Sequence, residues 1–150
     1  MSWEDLGAAV EDLAGQIQVE RFSPDAVLAL ARGGLPLAGA LAYALGVKNM
    51  ATLNIEFYTG VDARLDEPLL LPPLPDLRVL RAERLLVADD VADTGRTLAL
   101  AREFCAEHVP EVRTAVLYEK PQSVVRCDFV WRRTDRWVNF PWTAPAPAAA

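Results

Sequence analysis

The chain has 150 residues, 52% of them hydrophobic and 24% charged, about one domain's worth with enough apolar material for a buried core. Its formal net charge of −6 argues against a surface that tracks a nucleic-acid backbone, because that takes a basic stripe. Any phosphate it handles must be held locally, by backbone amides and a few placed cations.

Ser2 followed by Asp5 predicts a helix start of the capping-box kind. Leu6, Val10, Leu13 and Ile17 then share one helical face as far as about Val19. Residues 26–31 form a short, continuously apolar run, the pattern of a strand buried on both faces. Arg32-Gly33-Gly34 breaks it, Leu35-Pro36 opens a second helix with proline in the first turn, and Gly46 closes that helix. Residues 47–58 read as a strand. From residue 58 to about 76 the chain carries Pro68, Pro72, Pro73 and Pro75 without a clear period. Such a segment predicts a mobile binding loop, or an arm whose contact is Leu69, Leu70 and Leu71.

Residues 85–88 are a second buried-type strand that runs straight into Asp89 and Asp90. After Thr94-Gly95 a helix extends to about His108, with Leu98, Ala101 and Cys105 on one face. Residues 112–118 read as a further strand, with two more at 127–131 and 137–140. This alternation predicts an α/β fold, a parallel sheet flanked by helices, over a single domain of residues 1–143. Residues 120–143 would form a small C-terminal hood, and the alanine–proline tail 144–150 is expected to be disordered. Cys105 and Cys127 are not spaced as metal ligands and are expected to be reduced, partly buried thiols. Glu4 and Asp5 stand where a signal peptide would be basic, and no apolar run approaches the roughly 20 residues of a bilayer span. A cytoplasmic protein, with neither membrane nor nucleic acid as partner, is the expectation.

The sharpest signal is residues 85–97, LLVADDVADTGRT. In open α/β sheets ligands gather beyond the carboxyl ends of the strands. Two adjacent carboxylates at such an end are costly unless they meet hydroxyls or a cation. The Asp93-Thr94-Gly95-Arg96-Thr97 turn offers two hydroxyls and amides at a helix N-terminus, which suits a phosphate dianion. One end of the loop is thus made for sugar hydroxyls or metal, the other for phosphate. A second turn, Arg32-Gly33-Gly34, follows a buried strand and aims at the same sheet edge, and its glycines let the backbone approach an anion closely.

The 85–97 segment resembles the motif by which type I phosphoribosyltransferases bind 5-phosphoribosyl-1-pyrophosphate (PRPP). The resemblance implies that Asp89 and Asp90 hold the ribose hydroxyls and, directly or through water, Mg²⁺. It also implies that Asp93, Thr94, Gly95, Arg96 and Thr97 bind the 5-phosphate, and that Arg32, Gly33 and Gly34 cradle pyrophosphate. In 6-oxopurine members the third acid, here Asp93, is thought to move a proton from the purine ring. The alternative for Asp93 is a helix N-cap that only orders the turn.

Lys120-Pro121, and then Asp135 to Trp142, are similar to the xanthine–guanine branch of that family. There the matching residues place Lys120 on the 6-oxo group, Trp137 on the purine face and Val138 as a backbone contact. Thr143 stands where that branch has an acid, and residues 57–59 lack its serine–tyrosine pair. Trp142 reads as packing rather than stacking. The implied activity is phosphoribosyl transfer from PRPP to a purine by a homo-oligomer, with Arg32 and Asp93 closest to the chemistry. Hypoxanthine, guanine and xanthine all fit. A non-catalytic PRPP or nucleotide binder and a transferase for another acceptor are the rival readings.

Overall fold

A computed structural model describes residues 1–57 and 68–143. The part of the predicted 58–76 loop before Pro68, and the 144–150 tail, lie outside these residues. The elements in chain order are α1 (Trp3–Val19), β1 (Ala26–Ala31), α2 (Leu35–Ala44), β2 (Met50–Phe57), β3 (Pro68–Leu71), α3 (Leu77–Leu80), β4 (Arg84–Ala92), α4 (Arg96–Ala106), β5 (Glu111–Glu119) and β6 (Phe129–Arg133).

Helix α1 starts at a complete capping box. Ser2 Oγ accepts from the Asp5 amide at 3.0 Å, and Asp5 Oδ2 accepts from the Ser2 amide at 2.7 Å. Helix α2 carries proline in its first turn and is closed by Gly46 at φ +69°, where the Val47 amide reaches back to the Ala42 carbonyl at 2.8 Å.

The six strands form one sheet in the order β3-β2-β1-β4-β5-β6, parallel except for β3, which runs antiparallel to β2. Alternate residues of each central strand enter different layers. Val27, Ala29, Leu86, Ala88, Ala115 and Leu117 pack beneath α1 and α2. Leu28, Leu30, Leu85, Val87 and Val116 pack against α4 on the other side. Both layers are apolar, which is why these strands read as unbroken hydrophobic runs. Cys105 and Cys127 are buried free thiols, and burial pushes each up to about 12.

Three expectations change. The strand predicted over 47–58 begins only at Met50. The stretch without a period contains β3, an edge strand that opens on Pro68, a position where a missing N–H is tolerated. Residues 137–140 pair with no strand among the described residues. Val138, Phe140 and Trp142 instead lay their side chains on the α1/α2 layer, so an alternating pattern serves packing without a ladder.

Candidate active site

From β1 the chain crosses through α2 to β2 on one side, while β4, β5 and β6 build outward on the other. The point where strand order reverses therefore lies between β1 and β4, and a crevice opens there past the carboxyl ends. Registers level the strands at that edge, Ala29 beside Ala88 and Ala88 beside Ala115. Arg32-Gly33-Gly34 and Lys120 consequently leave the sheet on the same side as Asp89-Asp90, which follow the last pair of β4 with β1 while β4 continues along β5 to Ala92.

Between β1 and β4 the backbones are crowded. A Cβ on Gly33 would land on the Asp90 carboxylate, and one on Gly34 would strike the carbonyls of Ala88 and Leu30. Glycine is required at both places by proximity alone. The Ala31–Arg32 peptide is cis. Arg32, Gly33, Asp90, Trp142 and Thr143 line a cavity of about 480 Å³.

Asp89 and Asp90 are half-buried, and the Asp90 amide donates to Asp89 Oδ1 at 2.9 Å. Burial, and then the neighbouring Asp90 charge, hold the Asp89 carboxyl well above the usual carboxylate range. Burial raises Asp90 as well, against the Val91 amide and the Trp142 side chain. Among the described residues no arginine or lysine forms an ion pair with either acid. Nor is there a group of three or more metal-ligating side chains among them. Two adjacent carboxylates fit a hard cation that keeps waters and takes its other oxygens from a ligand's phosphates, which is the habit of Mg²⁺.

The turn that follows surrounds a second cavity of about 170 Å³, lined among others by Asp89, Asp93, Thr94, Gly95 and Thr97 at the start of α4. Gly95 is the N-cap, at φ +77°, and has no side chain to cap the helix; the neighbouring Thr94 hydroxyl accepts from the Arg96 amide of the helix, at 3.4 Å. Its first-turn amides thus border a cavity with polar walls, an arrangement suited to an anion.

A third cavity of about 200 Å³ is lined by Val91, Asp93, Lys120, Trp137, Val138, Phe140 and Thr143. Lys120 is only 8% exposed; its Nζ lies 3.6 Å from Asp93 Oδ1 and 5.6 Å from the centre of the Trp137 ring. Trp137 is 79% exposed and fixed by its indole N–H, which donates to Asn139 Oδ1 at 3.1 Å. Trp142 stacks on Phe140 at 5.0 Å and touches Trp3 at 5.8 Å, the packing role expected of it.

Of the residues picked from sequence, all but Gly34 and Arg96 line three adjoining cavities; Gly34 packs against the Ala88 and Leu30 carbonyls, and Arg96 is exposed at the start of α4. Asp93 does not cap the helix; its carboxylate accepts from Gln122 Nε2 at 2.7 Å. Sequence reasoning missed Gln122, Asn139 and Phe140. It also missed Glu119, whose buried carboxylate accepts from the Cys127 amide at 2.7 Å, Arg133 Nε at 3.0 Å and Arg126 Nη1 at 3.3 Å.

Residues 2–148 match the model of the phosphoribosyl transferase domain. The chain is 30% identical to the xanthine-guanine phosphoribosyltransferase of Idiomarina loihiensis, covering 95% of this chain and 84% of that protein. It is 31% identical to the enzyme of the same name from Nitratidesulfovibrio vulgaris, over 95% and 82%. Among solved structures, the purine phosphoribosyltransferase of Pyrococcus horikoshii superposes with a TM-score of 0.84 at 29% identity, covering all of this chain and 97% of that one. The fold, the crevice at the strand reversal and the family match over nearly every residue agree: the chain belongs to the phosphoribosyltransferase family and is an enzyme.

Proposed function

We propose that this enzyme moves the phosphoribosyl group of PRPP to a ring nitrogen of a 6-oxopurine, releasing pyrophosphate, as in purine salvage. The observation that carries the reading is a shared wall: Asp93 borders both the cavity at the start of α4 and the cavity under Trp137 and Lys120. A sugar phosphate in the first and a base in the second would bring their reacting atoms together beside that carboxylate. The names of the relatives support a purine as acceptor.

Cleavage at the anomeric carbon builds positive charge on the sugar and negative charge on the leaving group, so the protein's task is electrostatic placement. Arg32, Gly33 and Gly34 face the pyrophosphate, the 93–97 turn holds the 5-phosphate, and Asp89 and Asp90 hold the ribose hydroxyls. Asp89 and Asp90 would also hold Mg²⁺, directly or through water, and the ion would supply neutralising charge to the leaving group. Lys120 donates to the 6-oxo group, Trp137 stacks on the ring, the Val138 backbone holds its edge, and Asp93 accepts the ring-nitrogen proton. A cytoplasmic homo-oligomer belongs to the same reading, supported by the exposed apolar Leu69, Leu74 and Val124 and by the two free thiols.

Initial rates of pyrophosphate release with hypoxanthine, guanine, xanthine and adenine test it. At least one 6-oxopurine should turn over, with adenine far behind, and Lys120→Ala should narrow that gap about tenfold or more. Trp137→Ala should raise the purine KM by about tenfold, since base–aromatic stacking is worth roughly 1–3 kcal/mol. It should leave Tm unchanged because the ring is mostly exposed. Tight PRPP binding with no turnover of any base would instead indicate a non-catalytic PRPP binder.

A further inference from the structure

Asp93 stands two residues before the N-cap of α4, where first-turn amides attract a carboxylate. It does not turn to them. Its Oδ1 takes the Gln122 amide at 2.7 Å, with Lys120 Nζ at 3.6 Å from the same oxygen. We propose that Gln122 is a positioning residue for phosphoribosyl transfer, holding the Asp93 carboxylate on the wall between the α4 cavity and the base cavity. This rests on the catalytic role given to Asp93 above.

The two partners differ in kind. At 3.6 Å the Lys120 contact is a loose ion pair, and the reading above sends that ammonium to the purine oxygen. The Gln122 bond is short and does not depend on the base, so it is the restraint that persists when a purine enters. Both contacts land on Oδ1, which leaves Oδ2 as the acceptor for the ring-nitrogen proton. Half of the Asp93 side chain's surface is exposed, so packing alone does not fix its torsions. A neutral amide fixes them without adding a cation beside the incoming proton.

Gln122 can serve this purpose because its backbone is anchored to the turn it acts on. The Lys120 amide donates to Ala92 O at 3.0 Å, the Val124 amide to Thr94 O at 2.8 Å, and the Ser123 amide to Lys120 O at 3.1 Å. Gly95 packs so tightly here that a Cβ would meet Ser123 Oγ and the amides of Val124 and Val125. Residues 120–125 therefore move with residues 92–95, and the Gln122 amide arrives at Asp93 from a fixed base. Positioning on this scale matters, because small misplacements of a reacting group cost large factors in rate.

The test is a double-mutant cycle of Gln122→Met and Asp93→Asn, read as kcat for pyrophosphate release with the fastest base, alongside PRPP affinity by calorimetry. Gln122→Met keeps the side-chain volume and removes the donor. It should lower kcat about tenfold, change PRPP affinity less than about twofold, and leave Tm alone because Gln122 is exposed. Asp93→Asn should lower kcat by about 10²–10⁴-fold, and adding Gln122→Met to it should cost nothing more. An unchanged kcat in Gln122→Met, or equal slowing in both backgrounds, would overturn the positioning role while leaving the transfer reaction intact. An Asp93→Asn enzyme at parental rate would remove the catalytic carboxylate, and this inference with it. A parent that turns over no base would remove both together with the proposed function.

Discussion

Asp89 and Asp90 are held side by side in the last half of β4, just past its pairing with β1, both with carboxyls raised chiefly by burial. A core has no use for such a pair, so neutralising it should cost the fold nothing. Asp89→Asn with Asp90→Asn is expected to keep or slightly raise Tm while PRPP affinity in Mg²⁺ falls at least about a hundredfold, measured by calorimetry. Retained affinity would remove the ribose and metal roles from both residues. These acids were legible in the sequence because their chemistry is local: two carboxylates in a row after an apolar strand have few structural uses. Gln122 was not, because its meaning depends on an acid 29 residues away. Asn139 acts only two residues from Trp137, yet an asparagine in an irregular segment carries no signature of its own.

At the scale of elements, the entry to α4 is the most constrained turn of the site. Gly95 combines φ +77° with a Cα pressed against Ser123 and Val124. A left-handed backbone costs a residue with a Cβ roughly 1–2 kcal/mol before any clash. Gly95→Ala should therefore lose at least about 2 kcal/mol in urea unfolding, and weaken PRPP because the seam to 120–125 must open. Strands β1, β4 and β5 were legible since burial on both faces leaves an uninterrupted apolar run. Strand β3 was not: Pro68 and the prolines that follow the strand suggested a loop, whereas an edge strand tolerates proline at its start. The opposite error at 137–140 has the complementary cause. Alternation records which side chains are buried, and this segment half-buries Val138 and Phe140 against the core layer that includes α1 and α2, pairing with no strand among the described residues.

For the whole molecule, Glu119 ties the end of β5 to the segment that returns through Cys127 and Arg133. Burial tends to raise its carboxyl, but the Cys127 amide and the two arginines win and hold it below the ordinary value of 4.5. A carboxyl depressed by folding contributes stability that is present above its unfolded pKa and lost as pH falls through the folded one. Glu119→Gln should thus cost about 1–3 kcal/mol at pH 7. The Tm gap to the parent should close as pH drops below about 4.5, and a gap independent of pH would show that the charge is irrelevant. The pairing of β1 with β4 joins residues 26–29 to 85–88, and it sets a limit on how the protein can be divided. A fragment ending near residue 57 would hold Arg32-Gly33-Gly34 but neither acid; one starting near 84 would hold Asp89, Asp90, residues 93–97, Lys120 and Trp137 but not that turn. With the roles proposed above, neither fragment should turn over alone, and activity on mixing them would report that the two halves of the chain have met.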